Sequence, residues 1–150
     1  MIAYTLVGTN DLPRAVAFFE ALFAEFNAKH VWEGETGTAW SNGEHNPGIG
    51  VIKPFNGNPA TIGNGSMVAL HAGSKEQVGR LHAKALELGG SDEGAPGQRG
   101  DGFYAAYFRD LDGNNIYTII VRATDSFGLS DSQQVSVTIT NVNEAPVFVT

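Results

Sequence analysis

The feature that most constrains this chain is one order of elements stated twice. Residues 2–8, Ile-Ala-Tyr-Thr-Leu-Val-Gly, are β-branched and aromatic and predict a strand. Asn10-Asp11-Leu12-Pro13 predicts a helix start. An Asx side chain there accepts from free first-turn N–H groups, and proline is tolerated. Val16, Phe19, Phe23 and Phe26 follow at helical spacing, and this aromatic face reads as core. Strand candidates come next at Lys29–Glu33, Gly37–Ser41 and Gly48–Phe55, with Asn42-Gly43 as a hairpin signal between the last two. Residues 56–65 form a turn-rich linker.

The second half restates this order. Met67–Ala72 predicts a strand, and Ser74 with Gln77 fits a capping box. Val78, Leu81, Ala85 and Leu88 line one helix face, and Gly89-Gly90 ends that helix. Residues 91–102 hold four glycines and a proline and read as a flexible loop. Phe103–Phe108 is an aromatic strand. Arg109-Asp110-Leu111-Asp112-Gly113-Asn114-Asn115 follows as a tight turn, because Gly and Asx take positive φ at little steric cost. Ile116–Val121 is then expected to pair beside Phe103–Phe108. The halves share this order with little residue identity, which is the mark of an internal duplication.

Composition removes several function classes. With 150 residues, 42% apolar and 17% charged, the chain is long and apolar enough for one core. Its net charge of −7 disfavours nucleic acid and anionic membrane as partners. It has no cysteine, which rules out disulfides, thiolate catalysis and zinc–thiolate sites. Its apolar runs are too short to span a membrane, and no basic segment followed by a long apolar run suggests a secretory signal. A cytoplasmic location is expected on that basis.

Several stretches together carry a family resemblance. They are Gly8-Thr9-Asn10-Asp11-Leu12-Pro13-Arg14-Ala15 with Phe18-Phe19, Ala83 to Gly90, Asp92-Glu93-Gly94-Ala95-Pro96-Gly97, and Phe103 to Asn114. As a set they resemble the glyoxalase/bleomycin-resistance/dioxygenase superfamily, also called vicinal oxygen chelate proteins. The resemblance implies an α+β fold of two βαβββ modules, 1–57 and 65–121, whose sheets curl around a cavity. It also implies pairing of two copies into a homodimer and, if the chain is an enzyme, lyase or oxygenase-like chemistry.

Family members with metal chemistry place His or Glu on the cavity-facing strands. The resemblance carries those positions onto Tyr4, Met67, Tyr117 and the neighbourhood of Val51. None of these is an ordinary ligand for a hard or borderline divalent metal. No metal and no cofactor are therefore expected. His30, His45, His71 and His82 are scattered; His71 shares a strand face with Met67 and Ala69, and His82 is expected half-exposed beside Leu81. What remains is an apolar cavity with candidate lining residues Tyr4, Trp40, Met67, His71, Tyr104 and Tyr117, suited to a small-molecule ligand. The same rings would equally serve as core filling, and catalytic residues stay unassigned.

Residues 115–150 carry a second resemblance. Asn115 to Asp125 and Gln134 to Thr140 alternate as strands around the turn Phe127 to Asp131, and Asn141-Val142-Asn143-Glu144-Ala145-Pro146 closes the segment. This is similar to the end of a bacterial cadherin-like repeat. It implies an adhesion fragment that would instead be extracellular, or a chimeric chain without retained function. Asp125, Asn141, Asn143 and Glu144 would be weak calcium candidates, too few for the six to eight oxygens calcium takes. Residues 122–150 are thus expected to be a loosely held tail, since an isolated hairpin is marginal in water.

Overall fold

A computed structural model gives the structure for residues 2–121, 123–124 and 130–131. The first module runs β1 (Tyr4–Gly8), α1 (Leu12–Phe23), β2 (Lys29–Gly34), β3 (Gly37–Ser41) and β4 (Gly48–Ile52). The second runs β5 (Val68–His71), α2 (Lys75–Glu87), β6 (Ser91–Gln98), β7 (Phe103–Arg109) and β8 (Asn115–Val121). The two four-stranded sheets have matching orders, β1-β4-β3-β2 and β5-β8-β7-β6. In each, the first strand lies parallel to the last and the others pair antiparallel. This is the expected pair of βαβββ modules. Beyond β8, β9 (Ala123–Thr124) and β10 (Ser130–Asp131) pair antiparallel. The rest of the expected tail, with the calcium candidates Asp125, Asn141, Asn143 and Glu144, lies outside the described residues. No helix among the described residues is long and apolar enough to cross a membrane.

Both helices begin as their caps dictate. Asp11 accepts from Arg14 N at 3.2 Å, and Ser74 Oγ accepts from Gln77 N at 3.2 Å. Gln77 Oε1 reaches back one residue beyond the cap, to Gly73 N at 2.7 Å. A short 3₁₀ turn, Ala24–Phe26, extends α1 and ends on Asn27 in the left-handed region. The α1 stripe Leu12, Ala15, Phe18, Phe19, Leu22 and Phe23 is buried. Phe19 and Phe23 pack on Trp40, with centroids 6.3 and 5.5 Å away. Each such side chain contributes about 1.5–3 kcal/mol on full burial. The α2 stripe Val78, Leu81 and Ala85 is fully buried, and one core joins both modules.

The Asp110–Asn114 turn does more than link β7 to β8. Asp110 accepts from Asp112 N, Asn114 N and Asn114 Nδ2 at 3.0, 2.7 and 2.8 Å. That fixes a loop whose outer groups grip the other module. Asp112 accepts from Thr9 Oγ1 at 2.6 Å and from Asn10 N at 3.1 Å, and Asn114 Nδ2 donates to Gly8 O at 3.0 Å.

Two expectations need correction. Residues 91–98 form strand β6 rather than a flexible loop, paired to β7 with register shifts around Gly94 and Gly97. β6 is an edge strand, where a bulge tolerates both glycine and the missing N–H of Pro96. The hairpin signalled by Asn42-Gly43 is present, since β3 and β4 pair antiparallel through residues 42–47, and a shorter turn, Glu35-Thr36, joins β2 to β3. His82 is buried, not half-exposed, with Nε2 at 3.0 Å from Asp92 Oδ1.

Candidate functional site

The face of the first sheet turned away from the helices is open. Register sorts its residues into three tiers. At one end Lys29 lies opposite Ser41, and Gly48 opposite Tyr4. In the middle Trp32, Ala39, Gly50 and Leu6 follow one another across the four strands. At the far end stand Gly34, Gly37, Ile52 and Gly8. Alternation sends Thr38, Trp40, Ile49 and Val51 to the opposite face, against the helices.

These tiers bound a pocket of about 790 Å³, within the range of small-molecule sites. β1 and β2 are the edges of the sheet and stand three strand spacings, about 14 Å, apart. Tyr4 and Leu6 rise from one edge and Val31 and Trp32 from the other, over Gly48 and Ala39. Tyr4 is 65% exposed, Val31 61% and Trp32 45%, so these are apolar walls facing solvent rather than core.

Two local devices set the Trp32 wall. The register shifts between His30 and Trp32, which makes Val31 an extra residue and turns it and Trp32 to the same face. The indole then lies over glycine backbone. A Cβ on Gly34 or on Gly37 would sit 3.0 Å from ring atoms of Trp32. On Gly37 it would also meet Val51 O at 2.6 Å.

One end of the pocket is polar. Lys29 is the single basic lining residue and Glu44 the single acidic one. Ser41 Oγ bonds Gly43 O at 2.9 Å and Asn46 O at 3.1 Å, and Asn46 Nδ2 donates to Asn42 Oδ1 at 2.9 Å. The loop thus satisfies much of its own polarity. Lys29 makes no salt bridge among the described residues.

On the opposite face, behind the pocket floor, Glu20 holds Trp40 and His30 together. Its Oε2 accepts from Trp40 Nε1 at 2.6 Å and lies 2.6 Å from His30 Nε2. His30 Nδ1 is 3.4 Å from Glu33. The Trp40 and His30 hydrogen bonds hold the Glu20 carboxyl below its ordinary pKa, while Glu20 raises that of His30.

The second sheet uses the same device on its corresponding face. The guanidinium of Arg99 lies 5.2 Å from the Tyr107 ring centroid. A Cβ on Gly94 would meet Tyr107 at 2.6 Å, and one on Gly97 would meet Arg99 at 2.6 Å. Glycines in β6 therefore let this sheet's own side chains lie flat across it.

Of the residues singled out by sequence, the structure places Tyr4 in the pocket. Trp40 is buried beneath α1 as part of the core, and Tyr104 faces α2, with Lys75 Nζ 5.1 Å from its ring centroid. Met67, just before β5, and His71, at its end, are exposed and do not line the pocket of the first sheet. Residue 117 pairs with Ala69 and Tyr107 in register. Val51 points into the core, and the β4 residues on the opposite face of the sheet are Gly50 and Ile52. With Tyr4, Met67 and these apolar neighbours, the donor set does not suit the metal implied by the resemblance. Among the described residues no three His, Asp or Glu side chains gather to hold a metal ion. Sequence reasoning missed Leu6, Lys29, Val31, Trp32, Ala39 and Ile52; only the strand register and the bulge reveal them.

Comparison with known proteins fits this architecture. The sequence model of the Glyoxalase/Bleomycin resistance protein/Dioxygenase superfamily matches residues 1–117, and the chain belongs to that superfamily. A glyoxalase/bleomycin resistance protein from Albidiferax ferrireducens T118 is similar at 35% identity and TM-score 0.73, over 79% of this chain and 97% of that one. Lactoylglutathione lyase from Agrobacterium tumefaciens shares the fold at 20% identity and TM-score 0.59, over 79% and 92% of the two chains. A fosfomycin resistance protein from Mesorhizobium loti does so at 16% identity and TM-score 0.58, over 80% and 91%. No curated protein matches the chain. None of these comparisons supports the cadherin-like resemblance of residues 115–150.

Proposed function

We propose that this superfamily member binds a small, largely apolar molecule on the open face of its first sheet, and does so without a metal. The observation that carries this reading is the walled floor: Gly48 and Ala39 lie between Tyr4 and Leu6 on one side and Val31 and Trp32 on the other. Large apolar side chains left facing solvent around a concave floor mark a binding surface. The metal-free part rests on the donor set, since Tyr4 and Met67 stand where the resemblance puts metal ligands. Pairing of two copies belongs to the same reading. Exposed Ile2, Phe55, Ile62 and Met67, outside the pocket lining, give a second chain apolar surface to cover.

A thermal-shift screen of small apolar molecules tests the binding. A ligand that binds only the folded chain at one hundred times its Kd stabilises it by about 2.7 kcal/mol. Hits are expected with the native protein and are expected to vanish with Trp32→Ala. Hits that persist unchanged in Trp32→Ala would place the site elsewhere. Elemental analysis showing one metal ion per chain would overturn the metal-free part. A monomer at high concentration in sedimentation would overturn the pairing.

A further inference from the structure

We propose that the ligand is a planar aromatic or conjugated carboxylate, with its ring system over the middle tier and its carboxylate at Lys29. This rests on the binding reading above and narrows its ligand class. At the middle tier the floor is the Ala39 methyl group, with the Leu6 side chain lying in over Gly50 on one side and Trp32 on the other. Trp32 is laid flat by its contact with Gly34 and Gly37, so it offers a ring face or edge rather than a free rotor. Ring pairs in offset or edge-to-face contact gain beyond the area they bury. A flat ligand meets that geometry, whereas a branched aliphatic one leaves the slot poorly filled.

Lys29 and Ser41 stand one tier along from Trp32 and Ala39, on the same face. A ring resting on the middle tier therefore carries a substituent directly toward the Lys29 ammonium. That ammonium has no salt bridge among the described residues, and its pull on the Glu20 carboxylate behind the floor is weaker than that of Trp40 and His30. Glu44, the other charged lining residue, stands exposed on the 42–47 loop, while Lys29 projects from a strand held by backbone pairing. The fixed charge at the end of the apolar slot is thus positive, and an ammonium–carboxylate hydrogen bond is stronger than a neutral one.

The test uses three probes of one shape: 2-naphthoate, 2-naphthalenemethanol and 2-(aminomethyl)naphthalene, titrated by calorimetry into the full chain. 2-Naphthoate is expected to bind tightest. Lys29→Met should weaken it about tenfold and leave the alcohol within twofold, while Lys29→Arg keeps the preference. Lys29 is exposed, so these variants are expected to fold, and circular dichroism checks it. Equal binding of alcohol and carboxylate, or indifference of 2-naphthoate to Lys29→Met, overturns the carboxylate assignment and leaves the apolar pocket standing. Preference for the amine overturns it as well and points to Glu44. Failure of all three probes overturns the planar-ligand assignment, and an empty thermal-shift screen beside it ends the binding reading too.

Discussion

Asp110→Ala is the substitution from which the fold predicts most. The carboxylate accepts three hydrogen bonds inside the β7–β8 turn, and the residue is 5% exposed. Burial raises its pKa, and the donors from Asn114 and Asp112 oppose that rise without cancelling it. Alanine leaves the N–H groups of Asp112 and Asn114 without these acceptors, at about 1–3 kcal/mol each. It also frees the loop that presents Asp112 to Thr9 and Asn10. The expected loss is about 2–5 kcal/mol, with a melting temperature lower by about 5–20 °C for a chain of this size. Asp110→Asn keeps one oxygen for the two backbone donors but sets an amide against Asn114 Nδ2, and should cost only about 1–2 kcal/mol. Urea unfolding of all three proteins, compared at constant m, measures this. A loss below about 1 kcal/mol for Asp110→Ala would refute the reasoning, as would Asp110→Asn equalling it.

Three further outcomes follow from particular contacts. Thr118 Oγ1 is buried without a hydrogen-bond partner among the described residues, so Thr118→Val should stabilise by about 1–2 kcal/mol in thermal unfolding; destabilisation would show that the hydroxyl is satisfied. Gly37→Ala places a Cβ 2.6 Å from Val51 O, so β3 and β4 must separate and stability should fall by about 1–3 kcal/mol in urea; a neutral result contradicts the close approach. His30 has its pKa raised above 6.5 by Glu20, and Glu20 its own lowered below 4.5 by Trp40 and then His30. The His30 contribution is thus full below pH 6.5 and lost as pH rises through its raised value, while that of Glu20 is lost as pH falls through its lowered one. Because His30 is partly exposed, the effect is at most about 1 kcal/mol, and His30→Gln should flatten the stability–pH profile as pH rises from 6.5; an unchanged profile contradicts it.

The helices were legible because caps and 3.6-residue spacing are local signals. Asp11, Ser74 and the Phe19–Phe23 stripe each announce themselves within one or two turns. The last strand was legible too: Ile116–Val121 pairs with Phe103–Phe108, as the Asp-Gly turn required. Which way each strand faces was not. Phe103-Tyr104-Ala105-Ala106-Tyr107-Phe108 reads alike in both directions, so each face of β7 receives two rings and one alanine. Only packing against α2 sends Tyr104, Ala106 and Phe108 inward. Gly37-Thr38-Ala39-Trp40-Ser41 shows no alternation either, which is why Trp40 was placed in the cavity and Trp32 was not. The bulge at His30/Trp32 depends on pairing with β3, a contact that no local pattern encodes. β6 was lost for a related reason. Its glycines and Pro96 look like loop signals, but their role is to admit Tyr107 and Arg99 against an edge strand.

The most direct test of the central claim is an amide and indole NMR titration of the chain with 2-naphthoate. The account predicts shift changes concentrated on Tyr4, Leu6, Lys29, Val31, Ala39, Gly48 and Gly50. The Trp32 indole N–H should move with them and that of buried Trp40 should stay still. Changes centred on Met67, His71 and Tyr107, with the first sheet unmoved, would contradict it.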